Sequence, residues 1–166
     1  MDRLEFKGSF AVDEAGTITG IAWPFGSPDR VGDIITKSAF GEIPLPVPML
    51  FGHNPNDAVG AWTEATATDE GLEVKGRLLL GQVARADEVR ALVQSGAVGG
   101  LSIGFSTKAA TPRSGTRGRT ITDLELVEIS LVSVPSHPGA RVRSVKSGLA
   151  VTLAEAINRA ALALRQ

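Results

Sequence analysis

The chain has 166 residues and is 43% apolar, enough for one domain with a core of its own and too little for two large ones. Its 17 Lys and Arg stand against 18 Asp and Glu, and the net charge of −1 excludes charge as a reason to bind nucleic acid or an anionic membrane. Cysteine is absent, which removes disulfides, thiol nucleophiles and thiolate metal sites, so any nucleophile has to be an oxygen. The start, Met1-Asp2-Arg3-Leu4-Glu5-Phe6-Lys7, lacks the apolar run of a secretory signal, and no stretch approaches the roughly 20 apolar residues of a membrane span. A soluble protein made in the cytosol is expected.

Short β-branched runs punctuated by 19 glycines and 9 prolines predict a mainly β architecture, a sheet or barrel with few helices. Leu4–Val12 and Thr17–Trp23 are expected to form a hairpin across the turn Asp13-Glu14-Ala15-Gly16. The series Pro44, Pro46, Pro48 forces extended backbone, and Met49-Leu50-Phe51-Gly52-His53 then reads as a short strand ending in a histidine. Val59–Thr66 and Leu72–Leu80 form a second pair, joined at Thr68-Asp69-Glu70-Gly71 with the glycine expected at positive φ. Ala84–Val93 carries helix formers with Val89, Leu92 and Val93 on one side, and Gly96 supplies the stop. Strands Gly100–Thr107 and Thr120–Val134 follow, separated by a loop holding Arg113, Arg117 and Arg119, which is expected to be solvated or to contact substrate. Last, Thr152–Arg165 begins with a capping box, Thr152 and Glu155, and places Leu153, Ile157, Ala160, Ala161 and Leu164 on one face of a second amphipathic helix.

Gly99-Gly100-Leu101-Ser102-Ile103-Gly104-Phe105 alternates apolar with tiny residues, leaving one bare face that carries a serine. Flanking glycines there would let a peptide approach the hydroxyl and leave backbone N–H groups for an oxyanion; the competing reading is that small residues fit a crowded corner of a barrel. A serine nucleophile needs a base, and the chain has only His53 and His137. His53 is preferred because it ends a rigid strand, whereas His137 lies in the turn-like Pro135-Ser136-His137-Pro138-Gly139 and is expected to face solvent. Along Leu124–Val132, strict alternation puts Glu128 on the face of Leu124, Leu126, Val132 and Val134, a carboxylate on an apolar side that requires a partner. An imidazole is one partner and would complete a nucleophile, base and orienter set; an arginine or a backbone group is the alternative, and Glu125, beside Asp123 and Ser133, is the weaker candidate. Phosphate loops, metal-ligand clusters and a nucleophile elbow are not expected, and Asp29-Arg30-Val31-Gly32-Asp33 has too few oxygens nearby for calcium.

Taken in order, several motifs resemble the tailed-phage prohead maturation proteases, which share the fold of the herpesvirus capsid-assembly protease. They are Gly20-Ile21-Ala22, Asp29–Asp33 with Ala39-Phe40, Met49–His53, Val59-Gly60, Gly71–Gly76, Leu101–Phe105 and Glu128–Pro135, spanning about residues 4 to 146. The resemblance implies a closed β-barrel with flanking helices over residues 1–150, with 151–166 as a C-terminal helix packed on the barrel or at a homodimer interface. It implies a serine endopeptidase with His53 and Ser102 as the catalytic pair and Glu128 as third member, without cofactor or metal. Its substrates would be scaffold protein or the scaffolding segment of the major capsid protein, cut inside the immature capsid in the host cytoplasm. The competing class is a catalytically silent barrel acting as an assembly factor. His137-Pro138 departs from the family pattern, which often has a small residue and an asparagine there, and His137 is taken as incidental.

Overall fold

The computed structural model describes residues 12–143. Its strands are β1 (Thr17–Pro24), β2 (Ile34–Ile35), β3 (Val47–Phe51), β4 (Ala58–Ala67), β5 (Gly71–Leu78), β6 (Gly100–Pro112), β7 (Arg119–Val132) and β8 (Arg141–Arg143). A 3-10 turn, Lys37–Phe40, follows β2, and one α-helix, α1 (Ala84–Gln94), lies between β5 and β6. Seven strands close on themselves in the order β7-β3-β4-β5-β1-β8-β6, with β6 returning to β7, and β2 is an eighth strand laid against the start of β7. Neighbours are antiparallel except β3 with β7 and β2 with β7, which run parallel. The expected mainly β architecture and barrel closure are therefore present.

The strands follow from period-two patterning. In β5 the residues Leu72, Val74, Gly76 and Leu78 are buried, while Lys75 and Arg77 are exposed. The inward residues meet in one core around Trp23, Trp62, Met49, Leu72, Leu101, Ile129 and Leu131. Trp62 spans that core with its indole N–H donating to the Ile129 carbonyl at 2.9 Å. At Gly76 a Cβ would stand 2.9 Å from both the Met49 methyl and the Trp62 Cα, so the interior has no room for a side chain there.

The 13–16 turn forms as expected. Asp13 accepts the Thr17 N–H at 2.8 Å and Gly16 takes φ +83°. The proposed partner strand Leu4–Val12 lies outside the described residues except for Val12, as does the helix Thr152–Arg165. The β4–β5 hairpin is also in place, but Gly71 does not occupy a positive-φ position. It is a glycine for a different reason: a Cβ would come within 2.8 Å of the Ile21 side chain and 3.0 Å of Pro24 Cα. Helix α1 buries Ala86, Val89 and Val93, Leu92 packs beside them, and Gly96 closes the end at φ +81°.

Candidate active site

β6 and β7 form a long hairpin in which Ser102 lies opposite Ser130 and Gly104 opposite Glu128. β3 docks on the other edge of β7, Met49 to Ile129 and Phe51 to Leu131, and this delivers His53 two residues beyond its end. The chain turns out of β3 through two consecutive left-handed residues, Gly52 at φ +63° and His53 at φ +61°. A histidine in that region is strained by about 1–2 kcal/mol. Two bonds hold it: the Gly52 N–H donates to the Leu131 carbonyl at 3.1 Å and the His53 N–H to Ser130 Oγ at 2.9 Å. On the outer side, Arg85 from α1 stacks over Phe51 at 5.6 Å and pairs with Asp57 at 3.2 Å, bracing the far end of the same loop.

The three residues singled out in the sequence meet in one hydrogen-bonded row. Glu128 Oε1 is 2.6 Å from His53 Nδ1, and His53 Nε2 is 2.9 Å from Ser102 Oγ. The other carboxylate oxygen, Oε2, accepts from Ser130 Oγ at 2.7 Å. Glu128 is thus held at both ends, and its Oε1 accepts the Nδ1–H, which leaves Nε2 of the neutral ring as an acceptor for the Ser102 hydroxyl. Ser102 and Glu128 are buried at 4% and 7% exposure, whereas 43% of the His53 side chain is open, so a ligand approaches from the imidazole side. Glu125 is elsewhere, exposed and paired with Lys108 at 2.7 Å, which holds its carboxyl below the usual range.

Glu128 is buried for a reason that alternation did not contain. Gly104 faces Glu128 while the next residue, Phe105, faces Leu126, so Val127 is an extra residue in β7. The bulge puts Glu128 and Leu126 on opposite sides and leaves Val127 52% exposed. Val134, also placed on the Glu128 face by alternation, is 72% exposed. The companions of Glu128 are Ser130 and Ser102. Gly104 makes room for it: a Cβ there would stand 2.9 Å from both Cγ and Cδ of Glu128 and closer still to Oε1. Gly100 makes room for Pro135, whose Cδ would lie 2.8 Å from a Cβ, so these two glycines serve packing rather than substrate access. Although Gly100-Leu101-Ser102-Ile103-Gly104 spells a GxSxG pattern, Ser102 sits inside a continuous strand and makes no strand-to-helix elbow.

His137 does not face solvent. It is 3% exposed, set edge-on to Trp23 at 5.1 Å, with Nδ1 accepting the Gly139 N–H at 3.0 Å and Nε2 3.1 Å from the Ser27 carbonyl. The turn is small enough to be wrapped by the loop after β1, which local sequence does not reveal. Its neighbour Ser136 reaches the site, with Oγ 3.2 Å from Ser102 Oγ. Sequence reasoning passed over Ser130 and Ser136 as site residues; the available signal for Ser130 was a serine two residues beyond Glu128 within an apolar strand.

The 29–33 motif organises the rim. Asp29 Oδ1 accepts the N–H groups of Val31 and Asp33, Arg30 donates from its N–H to the Ser136 carbonyl and from Nε to the Pro135 carbonyl, and Asp33 binds Arg119. The Arg119 guanidinium hydrogen-bonded to Asp33 holds its carboxyl below the usual carboxylate range, against the opposing effect of burial. Two arginines of the loop expected to be solvated or to contact substrate also tie it to the 29–33 motif: Arg119, its side chain still 47% exposed, on Asp33, and Arg113 on the Gly32 carbonyl. Among the described residues no group of three His, Asp or Glu side chains could hold a metal ion, and no helix is long and apolar enough to cross a membrane.

A serine hydroxyl on an imidazole that is held by a carboxylate is the arrangement of a serine hydrolase. Residues 4–154 match the family model of the caudovirus prohead serine proteases. The chain belongs to this family. Among its relatives are a capsid polyprotein of Pseudomonas phage PAJU2, 39% identical over 140 residues, and the prohead protease of Enterobacteria phage HK97, 33% identical over 153. The matches take in 81% of this chain and 21% of the first relative, and 88% and 67% for the second. The barrel superposes on the KSHV protease crystallised with a hexapeptide phosphonate inhibitor, at a TM-score of 0.51 and 12% identity, over 76% of this chain and 63% of that one, which shows the shared fold.

Proposed function

We propose that this member of the prohead protease family is a serine endopeptidase that cuts scaffold protein or the scaffolding segment of the major capsid protein inside the immature capsid, in the host cell. The observation that carries the reading is the unbroken row Glu128–His53–Ser102, at 2.6 and 2.9 Å, its two ends buried and its central imidazole open. Family membership and the names of the relatives, a capsid polyprotein and a prohead protease, supply the class of substrate.

In this mechanism Ser102 Oγ attacks the scissile carbonyl as its proton passes to His53 Nε2. Glu128 then faces an imidazolium, and its fixed carboxylate stabilises that charge while holding the ring in the tautomer that began the cycle. His53 gives the proton to the leaving amine, and a water deprotonated by the same nitrogen hydrolyses the acyl-enzyme. Ser130 is the positioning residue, since its single hydroxyl ties the His53 backbone to the Glu128 carboxylate.

The test is mass spectrometry of coat or scaffold protein co-expressed with wild type, Ser102→Ala and His53→Ala. Defined cuts by the wild type alone are expected. Cuts that persist in Ser102→Ala would overturn the mechanism, and intact substrate in all three would leave a barrel that assists assembly without cleaving.

A further inference from the structure

We propose that Ser136 is a further catalytic residue, its hydroxyl donating a hydrogen bond to Ser102 Oγ at rest and to the neighbouring oxyanion once Ser102 has attacked. This rests on the reading of Ser102 as nucleophile. The direction of the bond follows from the row behind it. With Nδ1–H given to Glu128, Nε2 is an acceptor and takes the only proton of the Ser102 hydroxyl. The 3.2 Å contact between the two serines then has one possible donor, Ser136.

The donor is held in place without help from its own side chain. The Ser136 carbonyl accepts the Arg30 N–H at 3.1 Å, and the Pro135 carbonyl accepts Arg30 Nε at 3.1 Å. On the other side, His137 is locked between Ser27 and Gly139 and packed on Trp23. Ser136 itself is exposed, so its hydroxyl is an open group on a rigid mount.

In β6 the Leu101 N–H, next to the nucleophile, is taken by the Ala140 carbonyl at 3.2 Å and does not serve the oxyanion. When the Oγ–C bond forms, the carbonyl π pair moves onto oxygen, the Ser102 proton goes to His53, and Ser136 keeps its own proton. Oγ and the oxyanion are then bonded to the same carbon, so a donor at hydrogen-bond distance from one reaches the other by a small change of χ1. Loss of one oxyanion donor in a water-excluded site costs about 100–1,000-fold in rate; for an exposed hydroxyl, where water substitutes in part, about ten-fold is expected.

The experiment uses a fluorophosphonate probe, whose phosphoryl oxygen occupies the oxyanion position, with the labelling rate followed by intact mass. Relative to wild type, Ser136→Ala is expected to label about ten-fold more slowly, with its thermal midpoint unchanged, and Ser136→Thr, which keeps the hydroxyl, to recover most of the rate. Labelling of Ser136→Ala at the wild-type rate, or equal slowing in Ser136→Thr, would overturn the proposal while leaving Ser102 as nucleophile. Labelling that persists in Ser102→Ala would instead remove the reading beneath it.

Discussion

Gly104→Ala separates catalytic geometry from stability. A Cβ at 104 would stand 2.9 Å from Glu128 Cγ and Cδ, against an ordinary carbon contact of about 3.5–4.0 Å, so the carboxylate has to retreat by about 1 Å. The side chain can swing, and the fold therefore suffers little: overpacking of this size costs about 1–3 kcal/mol, partly offset by about 0.4–1 kcal/mol from a stiffer unfolded chain. What cannot absorb the movement is the 2.6 Å bond to His53, which would stretch to about 3.6 Å and cease to be a hydrogen bond. A hydrogen bond to a charged group contributes about 1.5–3 kcal/mol, or about 10- to 150-fold in rate. Complete loss of the orienting carboxylate in such triads reaches about 10⁴-fold. We predict a fall of about 100-fold in kcat/KM on a peptide substrate cut by the wild type, with a cooperative unfolding transition retained. Shortening the acid should relieve the clash, so Glu128→Asp in the Gly104→Ala background is expected to cost less than the sum of the two single changes. A folded Gly104→Ala protein that cleaves at the wild-type rate would refute the account of how Glu128 is placed.

Ser130→Ala removes the acceptor of the His53 N–H and the donor to Glu128 Oε2 at a fully buried position, so urea unfolding should show a loss of about 1–3 kcal/mol together with slowed cleavage. A slowed but fully stable variant would contradict the two-bond role. The Asp33 carboxyl titrates below its unfolded value because of Arg119, so its contribution to stability is complete above about pH 4 and is lost as pH falls through the lower folded value. Melting curves from pH 7 to pH 3 should accordingly fall more steeply for wild type than for Asp33→Asn, and parallel curves would show that the pair does not contribute.

What the sequence made legible was local. The β4–β5 hairpin, helix α1 and the barrel-forming alternation of β5 each follow from residues within one turn or one strand. The row His53, Ser102 and Glu128 was reached because only two histidines were available and because a carboxylate stood in an apolar strand. The alternation argument behind Glu128 was nevertheless incomplete, since the extra residue Val127 shifts the register and becomes visible only against β6. His137 was misplaced because its burial depends on Ser27 and Trp23, 110 and more residues away, and no period within 135–139 encodes that covering. The same holds for Asp33 with Arg119 and for Ser136 with Ser102, pairs in which a loop residue meets a strand residue and whose docking is a property of the closed barrel.

The parallel seam between β3 and β7 has a consequence for when the chain can act. Partners 75 and 49 residues apart in the chain meet at His53, and both the ring and its backbone are fixed by residues of β7. A nascent or partly folded chain can contain Ser102 and His53 and still have no base in register, because neither hairpin alone brings β3 beside β7. Pairing between strands so distant in the chain is slow, because loop-closure entropy is spent before the contacts form. Competence therefore requires the β3–β7 seam, and a molecule without it carries its nucleophile unarmed.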